Sequence, residues 1–266
     1  MSEETPIHKR AVVFVMPGLD DLFIERDIIY KSLDRQELLL DVYRPSTVAA
    51  NQLLPGVIFI HGGPVPIDHP LKDSGQYQSW GRLAAASDLV GITFNHAYYA
   101  PEQLSQSAAN VLSAITYVRE NAAKFHLDPD RICLWTCSGA GPHICFALRQ
   151  SPAYVRCLVI YYAIMDVRPV PFLADVLSEA EMEMYSAVSH IQDKPIPFPT
   201  LIVRAGLDNE GLNETISRFS AQAVATNSPI EMINYPQGQH GFDILDDNAR
   251  SRQIIARTLA FIRENI

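Results

Sequence analysis

Long apolar runs are missing from this chain of 266 residues, and no stretch is long enough to span a bilayer. The early run AVVFVM is short and meets Pro17 and Gly18 at once, so no secretory leader is expected and the default location is the cytoplasm. Basic residues are in deficit, with 21 Lys and Arg against 30 Asp and Glu and a formal charge of −9. Nucleic acids and anionic membranes bind basic surfaces, so neither is expected as a partner. Cysteines number four, Cys133, Cys137, Cys145 and Cys157, three of them in strongly apolar surroundings and none in a C-x-x-C pair. They read as reduced core thiols, and neither a disulfide framework nor a zinc site is indicated. Internal repeats and low-complexity linkers are absent too. What remains is a chain that is 48% hydrophobic, ample for a buried core and economically read as one domain over residues 1–266. Its expected partner is a small molecule or another protein, and the oligomeric state is open, a homo-oligomer included.

The order of apolar runs gives the fold class. LFIERDIIYKS and ELLLDVYRP are extended, partly alternating and joined by LDRQ, which reads as an antiparallel pair. Beyond Pro55 the runs GVIFI, LVGITFN, RICLW, CLVIYYA, TLIVRAG and IEMINYP lack a polar face and are separated by helix-length segments. That is the pattern of parallel strands buried on both sides, hence an α/β sheet. Glu102 to Phe125 carries apolar residues at helical spacing, Asp128 to Asp130 reads as a turn, and IIARTLAFIREN as a closing amphipathic helix. Residues 164–199 break the alternation, with prolines at both ends and a helical middle around Leu177 to Val188. This segment reads as an insertion over one end of the sheet, a cap or lid, with Phe172, Tyr185 and Phe198 available to line an apolar pocket. HAYYAP, His96 to Pro101, is a second segment placed to border it.

WTCSGAGP sets a cysteine beside a serine directly after the run RICLW. A nucleophile on a sharp strand-to-helix turn needs small residues two before and two after it. Cys137 fails, because Trp135 would take the crowded position; Ser138 is flanked by Thr136 and Ala140. T-C-S-G-A is a degenerate form of G-x-S-x-G, and Thr136 is its main departure. The plain alternative is a serine that merely caps a helix.

Three distant features favour the serine. HGGP, His61 to Pro64, follows the strand GVIFI; such a glycine pair lets backbone N–H groups approach a developing oxyanion, from Gly63 and from Gly139 after the serine. Pro64 has no N–H, so two donors are expected. RAGLDNE places Asp208 just past a strand, where a carboxylate can orient a histidine, with Glu210 in reserve. His240, in YPQGQHGFD between a strand and the last helix, is the best placed of the eight histidines for a general base.

The order Ser138, Asp208, His240, together with HGGP and the elbow, resembles the α/β-hydrolase superfamily, in its carboxylesterase and lipase branch with an HGG loop and with dienelactone-hydrolase-like neighbours. The resemblance covers most of the chain. It implies a mostly parallel, twisted sheet of about eight strands with helices on both faces, a short cap, and hydrolysis of esters of small to medium acyl chain through an acyl-enzyme. It implies no metal and no organic cofactor. Two alternatives stay open at this point: a peptidase or amidase using the same three residues, and a non-catalytic homologue that binds a small molecule.

Overall fold

A computed structural model describes residues 6–34, 36–67 and 70–266. Eight strands form one sheet: β1 Leu22–Leu33, β2 Gln36–Pro45, β3 Leu54–Ile60, β4 Val90–Phe94, β5 Leu127–Cys137, β6 Val155–Tyr161, β7 Thr200–Ala205 and β8 Ile230–Tyr235. Their spatial order is β1-β2-β4-β3-β5-β6-β7-β8. The hairpin β1/β2 is antiparallel and β2 meets β4 antiparallel, whereas every pair from β4 through β3 to β8 is parallel.

The helices are α1 Gly75–Ala86, α2 Leu104–Glu120, α3 Cys145–Gln150, α4 Pro171–Ala174, α5 Glu179–Tyr185, α6 Glu210–Ala225, α7 Phe242–Leu245 and α8 Ala249–Asn265. Strand side chains alternate between two cores, as the two-residue period of a pleated strand requires. Ile58, Ile60, Leu134 and Ile202 pack on one face with α2, α3 and α6. Val57, Phe59, Trp135 and Val203 pack on the other with α1 and α8. Both faces are covered, which is why the central strands read as unbroken apolar runs. All four cysteines are free and buried in these layers.

Three local expectations change. The crossover helix α2 stops at Glu120, and Asn121 to His126 follow as turns. Asp128 to Asp130 lie inside β5 rather than before it, because Leu127 bridges Leu54; the turn chemistry survives as a bond from the Asp130 N–H to the Asp128 side chain. After Ser138 the chain runs through a 3₁₀ stretch, Ser138–Ile144, before α3, with Pro142 inside it. Proline lacks the N–H that an α-helical turn would need there.

Residues 164–199 follow β6 and hold α4, α5 and the 3₁₀ stretch Ala187–Ile191. Val167, Leu173, Leu177 and Tyr185 form a small third core with Tyr98 and Leu104. Ser178 caps α5 reciprocally with Glu181, as an S-x-x-E sequence should. Tyr185 and Phe198 are buried in packing, and only Phe172 of the three aromatics borders a cavity at the site described next. No helix among the described residues is long and apolar enough to cross a membrane.

Candidate active site

Four strand ends meet at the carboxyl edge of the parallel sheet, where ligands of such sheets bind. β5 ends in Cys137, and Ser138 follows in the left-handed region at φ 53°. A non-glycine residue there is uncommon and is retained only where its surroundings fix it. The fixing is visible: the Ile164 N–H donates to the Ser138 carbonyl at 2.9 Å. Gly139 cannot be replaced freely, since a Cβ on it would stand 1.7 Å from the Gly63 carbonyl oxygen. The tightest positions of this turn are therefore Gly139 and Gly141 rather than the two positions weighed from the motif. Thr136 is accommodated in the sheet between Ile60 and Ile160, its buried hydroxyl without a partner among the described residues.

HGGP lies directly beside this turn. The Gly62 N–H is taken by the Tyr77 hydroxyl at 3.1 Å. Among the described residues no acceptor takes the N–H of Gly63, and its backbone abuts Gly139. Cys137 is not a nucleophile by its surroundings: its Sγ lies 3.0 Å from the Tyr77 hydroxyl, and burial pushes the thiol up to about 12.

Asp208 and His240 arrive on neighbouring loops after β7 and β8. The Gly206 N–H donates to the Tyr235 carbonyl, and a Cβ on Gly206 would press within 2.4 Å of the Pro236 carbonyl, so glycine lets the two loops touch. His240 then lies between its partners, with Nδ1 2.7 Å from Asp208 Oδ2 and Nε2 3.0 Å from Ser138 Oγ. The Asp208 side chain is 4% exposed and the His240 ring 44%. Glu210, the reserve carboxylate, opens α6, and the carboxylate bonded to His240 is that of Asp208. All five residues singled out in the sequence, Ser138, Asp208, His240, Gly63 and Gly139, thus converge on one place.

Other contributors leave no mark in the sequence. The Tyr162 ring packs against the His240 ring, centroids 4.8 Å apart. Tyr162 donates to Asp243 Oδ1 at 2.6 Å, while Gln76 Nε2 and Trp80 Nε1 both donate to Asp243 Oδ2 at 2.9 Å. Burial and the Asp243 charge hold the Tyr162 hydroxyl well above its ordinary pKa, so it remains a donor. This buried carboxylate ties α1 and the end of β6 to the histidine loop. Behind HGGP, three buried histidines form a stack. His61 and His96 rings lie 3.8 Å apart, and Ser107 Oγ bridges His96 Nδ1 at 2.5 Å and His143 Nε2 at 2.8 Å. Burial drives His61 down to about 4 and His143 to about 3, so both are neutral in the fold.

Two cavities flank His240. One of about 340 Å³ reaches Ser138 and is walled by Ile7, His8, Val65, Leu71, Ser74 and Gln76 among others. The other, of about 350 Å³, lies against Asp208, Pro171, Phe172 and Leu212. The insertion 164–199 therefore borders the second cavity, whereas the cavity that reaches Ser138 is walled by the N-terminal segment, the HGGP loop, the start of α1 and the residues after His240. Of HAYYAP, Tyr98 is buried against Gly63 and the third core and Tyr99 bonds Gln36; neither lines either cavity.

Comparison with known proteins places the fold among esterases. Residues 40–151 match the family BD-FAE. The chain is 27% identical over 151 residues to an isoprenylcysteine alpha-carbonyl methylesterase of Arabidopsis thaliana, covering 54% of this chain and 32% of that protein. It is 31% identical over 154 residues to a para-nitrobenzyl esterase of Bacillus subtilis (strain 168), covering 52% and 29%. The match thus spans about a third of either relative's length. Among solved structures, Thermogutta terrifontis esterase 2 phosphoramylated by tabun superposes with a TM-score of 0.73 at 19% identity, covering 94% of both chains. The propionate-bound form of that esterase gives the same TM-score, with 92% and 96% covered. With an eight-stranded, mostly parallel sheet and that superposition along nearly its whole length, the chain has the α/β-hydrolase fold.

Proposed function

We propose that this protein is a serine hydrolase of carboxylic esters, with Ser138, His240 and Asp208 as its catalytic triad and the N–H groups of Gly63 and Gly139 as its oxyanion hole. His240 Nε2 takes the proton of Ser138 as Oγ attacks the ester carbonyl, and Asp208 holds the ring in the tautomer that can accept it. The oxyanion draws on the two backbone donors, fixed before the reaction begins and so needing no reorganisation. His240 then protonates the leaving alcohol, and water, activated by the same nitrogen, releases the acid from Ser138.

The observation that carries the reading is the pair of contacts through His240, 3.0 Å to Ser138 and 2.7 Å to Asp208, beside an N–H on Gly63 that no described residue claims. Acyl groups of small to medium size suit a cavity of about 340 Å³. The structurally similar Thermogutta terrifontis esterase 2 points the same way, since that enzyme was solved with propionate and with butyrate bound, and phosphorylated by paraoxon. In this reading residues 164–199 form a cap within a single domain and shape the second cavity. The test is hydrolysis of aryl esters graded from acetate to octanoate by the native protein and Ser138→Ala. Turnover of the short esters is expected, falling at least about 10³-fold in the variant. Turnover that survives Ser138→Ala unchanged refutes the mechanism.

A further inference from the structure

The start of α1 holds a polar feature that helix chemistry leaves unexplained. Ser74 occupies the N-cap position of α1, where a serine normally accepts from the first turn, yet it makes no side-chain cap bond. The residue is 6% exposed, its Oγ has no hydrogen-bond partner among the described residues, and it lines the cavity that reaches Ser138. A buried hydroxyl left unpaired costs free energy, so its persistence at a cavity wall calls for a partner supplied from the cavity.

Gln76, two residues on, lines the same cavity. Its orientation is fixed by chemistry: the Asp243 carboxylate only accepts, so the amide nitrogen faces Asp243 and Tyr162, at 2.9 and 3.0 Å. Both amide protons are thereby used, and no donor among the described residues reaches the carbonyl oxygen. Val65, Leu71, Ile244 and Leu245 add an apolar stretch of wall to the same cavity, whose polar side chains also include His8, Tyr77, Tyr162 and, at the reaction centre, Ser138 and His240. An apolar stretch of wall that also presents a hydroxyl and an amide carbonyl, both unpartnered among the described residues, is complementary to a carbon chain that carries a hydroxyl, which accepts from Ser74 and donates to Gln76.

We propose that Ser74 and Gln76 form a subsite for a hydroxyl group on the substrate chain seated in this cavity. The proposal rests on the esterase reading and names the class of ester: one whose acyl or alcohol portion bears a hydroxyl away from the ester bond. A site built for a hydroxyl rejects the analogue that lacks it, because its own polar groups are then left unpaired.

The experiment follows acid release by pH titration on paired esters. Methyl hexanoate against methyl 6-hydroxyhexanoate forms the acyl arm, and butyl butyrate against 4-hydroxybutyl butyrate the alcohol arm. The readout is the ratio of kcat/KM, hydroxylated over plain, within each enzyme. In the native protein one arm is expected to show a ratio of about 5 to 10, equivalent to one or two hydrogen bonds. Ser74→Ala should lower that ratio by a similar factor, and Ser74→Thr, which restores a hydroxyl, should retain it. The arm that responds identifies which portion of the ester enters the cavity. A native ratio at or below one on both arms overturns the proposal, as does a ratio that Ser74→Ala leaves unchanged. Should Ser74→Ala fail to fold, the native ratio decides by itself. Turnover of plain esters without a hydroxyl preference removes this subsite alone; turnover of no ester removes the esterase reading with it.

Discussion

The stack of neutral histidines behind HGGP makes the fold sensitive to acid, and the size of the effect follows from the shifts. Unfolded histidine titrates near 6.5, whereas burial lowers His61 to about 4 and His143 to about 3. Between pH 6.5 and about 4 the unfolded chain therefore takes up protons that the folded one refuses, and stability falls as pH falls. The stabilisation is complete above pH 6.5 and is lost on the way down toward the folded values. Each histidine approaches about 1.4 kcal/mol per pH unit once the pH is well below 6.5, so the two together remove about 3 kcal/mol between pH 6.5 and 5.0. Folded domains have only about 5–15 kcal/mol in total. His96, pushed down by burial and by its two histidine neighbours, adds to the effect with the same sign. Urea unfolding at pH 7.5, 6.5, 5.5 and 5.0 measures it. Carboxylates titrate with the same sign at lower pH, and His143→Gln isolates the histidine share by reducing the slope by about 1.4 kcal/mol per pH unit. A loss below about 1 kcal/mol between pH 7 and 5, or an identical slope in His143→Gln, refutes the assignment of these histidines as buried and neutral.

Asp208→Asn leaves the histidine hydrogen-bonded but in the wrong tautomer, and kcat on a short aryl ester should fall by about 10³- to 10⁴-fold with little change in melting temperature. Gly139→Ala places a methyl against the Gly63 carbonyl and should abolish turnover by displacing the oxyanion loop; retention of more than about a tenth of native kcat contradicts the hole assigned to it. Asp243→Ala strips the acceptor from Tyr162, Gln76 and Trp80. It should cost about 3–5 kcal/mol in chemical denaturation, and a loss under about 1 kcal/mol argues that water replaces the carboxylate without penalty.

Much of the site was legible because its parts sit at strand ends and carry residue types that other roles rarely demand in that order. HGGP, Ser138, Asp208 and His240 each follow an apolar run, and that coincidence survives a degenerate elbow sequence. The concern over Thr136 arose from reading the motif as a spacing rule, whereas the backbone packs closest at Gly139 and Gly141. The cavity wall was not legible. Ile7, His8, Ser74 and Gln76 reach the site through packing between segments far apart in the chain, and nothing local distinguishes them from ordinary loop and helix residues. Nothing in the sequence marks Asp243, since the three donors that reach it come from α1 and from Tyr162 just after β6. Residues 164–199 illustrate the converse: the prolines at both ends are plain in the sequence, but Tyr185 turns inward to the small third core and Phe198 to the main one, which no local pattern announces.

The N-terminal segment has a practical bearing on every kinetic measurement made with this protein. Ile7 and His8 line the cavity that reaches Ser138, and the Val13 N–H donates to the Asp243 carbonyl in α7, just after His240. An affinity tag fused ahead of these residues would be delivered to the entrance of the site, where it can act as a tethered competitor or a plug. Substrate preferences are therefore best taken from protein carrying its tag after Ile266 or from protein cleaved free of it. A difference between tagged and untagged preparations would itself locate the doorway.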